Sequence, residues 1–366
     1  MTGDHLTSMC LTGGEWFDVE KGVFERRDVV VEEGRVTDGD GDGLPQIDAS
    51  GCVVMPGLID MHVHAFEGTL HRPNPDDIGW ARGATTVADG GSVGWTTFDL
   101  FRGVIAASRT RLFCWLNLSS IGILDNRIPE LLLAPLVDPA GAAECAVQHR
   151  DHIVGLKARL STYACGGNAL NVLDQLLEAG EQAELPVMIH VGETLVPLPE
   201  IVARLRPGDV VTHCYTRARN NIFDPASGRV FEEIHAARAR GVLFDVGRGG
   251  AIHFTPETAR AALEDGFPPD IISSDVSDRT APEPTFGVLS TVSEMVECGM
   301  DEVAAFRAAT ETPARAIGRP ELIDPTAAPG GSDLSIIERR TSNVDRWGRY
   351  APRAVVIAGR HFTCGG

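Results

Sequence analysis

From residue 53 onward, short apolar runs alternate with longer segments in which apolar residues recur every three or four positions, the pattern of strands and amphipathic helices taken in turn. Eight apolar runs can be placed: VVMPGLIDMHVH (53–64), ATTVADGG (84–91), RLFCWLNLSS (111–120), IVGLKARLS (153–161), PVMIHVGE (186–193), DVVTHCY (209–215), GVLFDVGRG (241–249) and DIISSDVS (270–277). Between them, NALNVLDQLLEAGEQAE (168–184), FEEIHAARARG (231–241) and TPETARAALEDG (255–266) carry helical spacing. The last opens on Thr-Pro, an N-cap hydroxyl followed by proline at the first helical position, and ends on glycine. Repeats of this kind predict an α/β fold in which eight parallel strands close a (β/α)8 TIM barrel.

The flanks have another rhythm. Residues 8–54 and 332–364 are short alternating runs broken by glycine turns, as in β-hairpins. Neither end holds enough strands for a stable sheet of its own, so both chain termini are expected to pair into one small β-sandwich. The expected division is residues 1–54 plus 321–366 for that domain and 55–320 for the barrel. DGDGDG (38–43) reads as a solvated loop.

Composition narrows the class of ligand. The 366 residues are 43% hydrophobic and 23% charged, enough apolar material for a large core, and the formal net charge is -19. No basic stripe is available to displace counterions from phosphates, which argues against nucleic acid as a partner. No stretch reaches the roughly 18 apolar residues of a membrane span, and residues 1–11 lack a basic segment followed by an apolar one. A cytoplasmic protein acting on a small-molecule substrate is expected, with no membrane partner; exposed barrel helices leave room for a homo-oligomer. Eight cysteines are scattered without a C-x-x-C pair and read as reduced, buried space-fillers. Cys214 follows a candidate ligand but should point away from it by strand alternation.

The chemistry begins with His62-Val63-His64, closing the first barrel strand. Side chains two apart on a strand share a face, so both imidazoles should point into the barrel. A lone histidine on an apolar strand is more often a satisfied core residue; a pair at this spacing is not. His190 and His213 end two later strands and Asp275 ends the eighth, where a barrel gathers side chains into one ring. Asp275 alone could equally cap a helix.

Lys157 is the sixth member. The chain has two lysines against thirty arginines, and this one follows the apolar IVGL. Burial lowers an amine's pKa, and the neutral amine can take up carbon dioxide to give N6-carboxylysine, an anionic carbamate whose two oxygens can bridge two cations. The plainer alternative is a salt bridge to a neighbouring acid.

The run MPGLIDMHVHAFEGT resembles the signature of the amidohydrolase superfamily, and the order HxH, Lys, His, His, Asp is similar to its binuclear-metal subtype. GATTVADGGSVGWTTFDLFR, LNLSSIG, THCY, GVLFDVG and GFPPDIISSDVS resemble a dihydroorotase-like group that includes deacetylases of α-acetoxy and α-acylamino carboxylic acids. The resemblance implies two divalent metal ions, one on His62, His64, the Lys157 carbamate and Asp275, the other on the carbamate, His190 and His213. Zn2+ suits imidazole with carboxylate oxygen, with Mn2+, Fe2+ or Co2+ as alternatives.

What it implies for chemistry is a metal-dependent hydrolase that cleaves an ester or amide bond through a metal-bridging hydroxide, with Asp275 as the catalytic base and then acid. Substrate contacts are expected from Arg159, two residues past Lys157 and facing the same interior, and from Arg248, either of which could hold a carboxylate or pair with a local acid. His253 and His71, in loops above strand ends, are further candidates for substrate contact, and Asn117, Ser92, Tyr163 and Tyr215, at or near strand ends, could donate hydrogen bonds to substrate. Two departures count. Arg248 stands where the narrower group commonly has histidine, and Phe66 stands where dihydroorotases carry an arginine for the orotate carboxylate. The rival enzyme reading is a cyclic-amide hydrolase of dihydroorotase or hydantoinase type; the rival from another class is a metal-free, non-catalytic scaffold.

Overall fold

The computed structural model describes residues 7–67, 69, 73–125, 127–326, 333–340 and 348–364. At its centre is a parallel sheet of seven strands in chain order: β1 (Leu58–Val63), β2 (Ala84–Asp89), β3 (Arg111–Asn117), β4 (Ile153–Arg159), β5 (Val187–His190), β6 (Val210–Thr212) and β7 (Leu243–Asp245). Every residue of β1, β2, β4, β5 and β6 is buried. Parallel strands roofed by helices are covered on both faces, which is why these runs are buried throughout and largely apolar rather than alternating.

The eighth apolar run departs from the expected regular strand. Residues 270–277 touch both ends of the sheet through single parallel bridges, Ile271 with Asp245 and Val276 with Val63. The sheet therefore curls until β1 and β7 face the same segment. Asp275 lies in that segment with φ +50°, a left-handed backbone that interrupts a ladder.

The first run is likewise two strands rather than one. Cys52–Pro56 pairs with Leu334–Arg339 and Glu15–Asp18 in another sheet, and β1 begins only after Gly57. A Cβ at Gly57 would stand 2.0 Å from Thr85 Oγ1, so only glycine permits the crossing there.

The helices follow their sequence signals. Ala169–Ala183 buries Val172, Leu173, Leu176, Ala179 and Ala183, one stripe at three- and four-residue spacing. Truncating a leucine there costs about 2–5 kcal/mol. In Pro256–Glu264 the Thr255 hydroxyl accepts from Thr258 N at 3.2 Å, the N-cap that Thr-Pro foretold, and the Thr258 hydroxyl accepts in return from Thr255 N at 3.3 Å.

Strands from both termini do meet. A six-stranded sheet runs Arg360–Thr363, Tyr350–Ile357, Leu334–Arg339, Cys52–Pro56, Glu15–Asp18, Val23–Arg26. A four-stranded sheet of Arg35–Thr37, Val29–Glu32, Met9–Thr12 and Gln46–Asp48 shares one apolar cluster with it, in which Leu11, Trp16, Val31, Val54, Ile336 and Val356 are buried together. Among the described residues no helix is long and apolar enough to cross a membrane, and all eight cysteines are unbridged.

Candidate active site

The C-terminal ends of the central strands bring together all six side chains singled out as ligands. His64 Nε2 lies 3.2 Å and His62 Nε2 3.6 Å from Asp275 Oδ1, and Lys157 Nζ lies 3.3 Å from His62 Nε2. The His190 and His213 rings are 4.4 Å apart between centroids, and His62 and His213 are 5.3 Å apart. Two groups have ligand atoms all within 4.8 Å of one another: His62, His64 and Asp275, and His190, His213 and His253. His253, expected only as a substrate contact, thus joins the ligand cluster; it stacks on His213 at 4.0 Å, and its Nδ1 is 3.4 Å from Asp275 Oδ2.

Neighbours fix which nitrogen of each ring faces inward. Thr212 donates its hydroxyl proton to Asp245 Oδ2 at 2.7 Å, so the 2.9 Å bond to His62 must run from His62 Nδ1–H, which leaves Nε2 bare toward Lys157 and Asp275. His213 Nδ1–H donates to the Gly247 carbonyl at 2.6 Å, which turns a bare Nε2 inward. That atom is buried with no hydrogen-bond partner among the described residues. His64 Nδ1 rests 2.8 Å from the Ser92 hydroxyl, and Asp89 accepts from the backbone N–H of Ala65, Gly91 and Ser92, tying the loop after β2 to the end of β1. Sequence reasoning missed Thr212, Asp89 and Asp245. Thr212 adjoins a ligand, and the two acids close strands β2 and β7 much as Asp275 closes the eighth run.

Burial pushes the Lys157 amine down to about 7, even though the Asp275 and Asp245 carboxylates oppose that shift. Burial, and then the His253 imidazole, hold His190 and His213 well below the usual imidazole range. Burial works to raise Asp275, but the surrounding imidazoles, His62 foremost, hold it well below the usual carboxylate range. Two of these residues also carry backbone strain: His213 at φ +66° and Asp275 at φ +50° are non-glycine residues in the left-handed region, at about 1–3 kcal/mol each. Gly249 lets the chain pass close beside them, since a Cβ there would stand 2.5 Å from Asp275 Oδ2.

The cluster opens into a cavity of about 410 Å3 lined by His64, Arg159, Tyr163, His190, His253 and Asp275 among others. A larger hollow of about 860 Å3 lies at the opposite, N-terminal strand ends and contains neither a histidine nor Lys157. Ligand chemistry, not volume, identifies the site.

The expected substrate contacts fare unevenly. Arg159 lines the cavity, but its fork is held by the buried Glu130 at 2.7 and 2.6 Å. Arg248 does not line it: a bidentate pair with Glu294, 2.9 Å at each bond, fixes the guanidinium over the Phe286 ring instead. Asn117 is also displaced from that role, because its amide donates to Gly91 O at 3.0 Å, tying β3 to the loop after β2, and accepts from Ser119 N at 2.8 Å in its own segment. Tyr163 OH stands 3.4 Å from His190 Nε2, while Tyr215 is buried elsewhere and donates to Phe267 O. Cys214 packs in the apolar core, as alternation required. His71 lies outside the described residues.

With this geometry, the comparisons with known proteins speak to the same chemistry. The sequence profile of the amidohydrolase family matches residues 53–324. This chain belongs to the amidohydrolase family. A deacetylase of Agrobacterium fabrum is 34% identical to this amidohydrolase over 276 residues, 74% of this chain and 67% of that protein. Among solved structures, an adenine deaminase superposes with TM-score 0.85 at 26% identity, covering 97% of this chain and 99% of the other. A dihydroorotase does so with TM-score 0.85 at 27% identity and 98% coverage of each. The amidohydrolase is thus a hydrolase whose relatives include dihydroorotases as well as deacetylases.

Proposed function

We propose that this amidohydrolase is a metal-dependent hydrolase that cleaves an ester or amide bond, as a deacetylase does, in a small substrate bearing a carboxylate. The observation that carries this reading is the convergence of His62, His64, Lys157, His190, His213 and Asp275 in one cluster, of which His64, His190 and Asp275 line a cavity. The 34% identity to a deacetylase supports the choice of bond. In this reading the curled sheet is a (β/α)8 barrel over 55–320 with an irregular eighth strand, and residues 1–54 and 321–366 form the β-sandwich beside it.

The donor set suits two divalent ions. The bare, buried Nε2 of His213 and the outward-locked Nδ1 of His62 are the arrangement of imidazoles held ready for a cation. His62, His64 and Asp275 would hold one ion, and His190 and His213 the other. Lys157 would reach both as N6-carboxylysine: its neutral Nζ adds to carbon dioxide, forming an N–C bond and releasing one proton. Zinc matches imidazole and carboxylate best, with manganese, iron or cobalt by availability. When bound, such ions supply Lewis acidity toward the scissile carbonyl and toward water.

The chain's own residues do the rest. In this reading Asp275 takes a proton from the attacking water and returns it to the leaving group. Of its two oxygens, Oδ1 faces His62 and His64, while Oδ2 lies beside His253. His253, and not Arg248, stands beside the cluster and lines the cavity. The net charge of -19 and the unbridged cysteines favour a cytoplasmic enzyme with a small-molecule substrate and no nucleic-acid or membrane partner.

The cyclic-amide reading draws on the dihydroorotase structure. Against it, Phe66 packs on Phe101 with centroids 5.5 Å apart and offers no charge to a ring carboxylate. Assaying acetylated α-hydroxy and α-amino acids beside dihydroorotate and hydantoin, with metal and bicarbonate supplied, separates the two. Turnover of acyl compounds is expected; turnover confined to the rings contradicts the proposal.

A further inference from the structure

If the substrate carries a carboxylate, something in the cavity must neutralise it, and the two arginines suggested by the sequence are already engaged. Glu130 holds Arg159 and Glu294 holds Arg248. Arg279 differs. It lies four residues beyond Asp275, is exposed, and lines the same cavity as His64, His190 and Asp275. Among the described residues its guanidinium makes no ion pair and no hydrogen bond. In a chain with 51 acidic residues against 32 basic ones, a guanidinium without an acid beside its own active-site cluster is a group left for a ligand.

We propose that Arg279 is the residue that binds the substrate carboxylate. This rests on the hydrolase reading above and names its substrate more closely. A planar guanidinium fork matches a carboxylate through two parallel N–H···O bonds. Ile123 and Ile252 line the same cavity, so the substituent beside the carboxylate is apolar. Glu193 lines it as well and makes no ion pair with Arg279; its charge repels a second carboxylate. The substrate class is therefore a monocarboxylate with an apolar flank, presented to the cluster by its acyl bond.

Arg279 is exposed and its side chain makes no ion pair or hydrogen bond among the described residues, so its variants should fold normally. Calorimetric titration of the metal-loaded protein with 3-phenylpropanoate and with its neutral counterpart 3-phenylpropan-1-ol, neither of which has an acyl bond to cleave, reads the contact directly. The native protein should prefer the carboxylate. Arg279→Ala should weaken carboxylate binding about ten- to a hundredfold while leaving the alcohol unchanged, and Arg279→Lys should recover part of the loss. With any acyl substrate found, the same loss should appear in KM with kcat retained. Native protein that binds the two ligands alike, or an alanine variant that loses both equally or neither, overturns the proposal. Absence of turnover on every acyl compound would instead overturn the hydrolase reading and leave the ligand comparison to decide Arg279.

Discussion

The Lys157 amine lies 3.3 Å from His62 Nε2, in full burial, with the Met188 thioether at 2.9 Å as its other neighbour. An ammonium placed there forfeits its water for two weak acceptors, which is why burial takes the amine down to about 7. The sign of the linkage follows. Between about pH 7 and the ordinary lysine value of 10.5, the unfolded chain holds a proton that the folded chain has shed, so folding stability rises with pH across that window. In metal-free protein without bicarbonate, the urea midpoint of the native chain measured against that of Lys157→Met should therefore rise from pH 7 to 9, by at most about 1.4 kcal/mol per pH unit; the comparison with the variant cancels the buried thiols, whose raised pKa values work the other way at higher pH. Lys157→Met should remove that contribution. An unchanged slope in the variant would show that the amine is not destabilised by burial.

Asp275 bears both the strained backbone and the carboxylate shared by two imidazoles. Asp275→Asn keeps the shape and removes the base, so kcat should fall by at least about 10²–10⁴-fold while circular dichroism and the thermal midpoint stay near native. Near-normal kcat in this variant would remove Asp275 from the catalytic role.

Glu130 and Arg159 form a buried pair whose members have side-chain exposures of 1% and 9%. Removing one partner leaves an uncompensated charge in the interior, so Glu130→Ala should cost about 3–5 kcal/mol in denaturant unfolding. The double variant Glu130→Leu with Arg159→Met should recover much of that loss. If Glu130→Ala were neutral in stability yet raised KM, Arg159 would instead be a substrate residue.

Arg248 pairs with Glu294 at the half-exposed edge of the fold. Arg248→Ala should change stability by no more than about 1 kcal/mol and leave KM within twofold of native. A tenfold rise in KM for carboxylate substrates, unmatched for neutral ones, would return this arginine to the site.

Much of this site could be read along the chain because its ligands obey strand geometry. His62 and His64 share a face by the two-residue period, and His190, His213 and Asp275 close apolar runs that no loop interrupts. What could not be read lies where long-range partners decide. For Arg159 and Arg248 the sequence leaves a ligand contact and a local ion pair equally open, and the fold decides by setting Glu130 and Glu294, 29 and 46 residues away, against them. His253 and Arg279 sit in loops without periodicity, where position depends on the walls around them. The break at Gly57 hides in a continuous apolar run because both sides of it are buried strands, in different sheets. The eighth segment reads as a strand by composition, yet its left-handed turn at Asp275 depends on contacts with β1, among them the 2.7 Å bond from Asp275 N to His62 O.

The most direct measurement is metal content by elemental analysis after reconstitution with zinc and bicarbonate, for the native chain and for Lys157→Ala. Native protein should retain about two ions per chain, and the variant one or fewer, because the bridging carbamate is lost. A native chain that retains fewer than one ion, or a variant that still holds two, would contradict a paired metal centre built on Lys157.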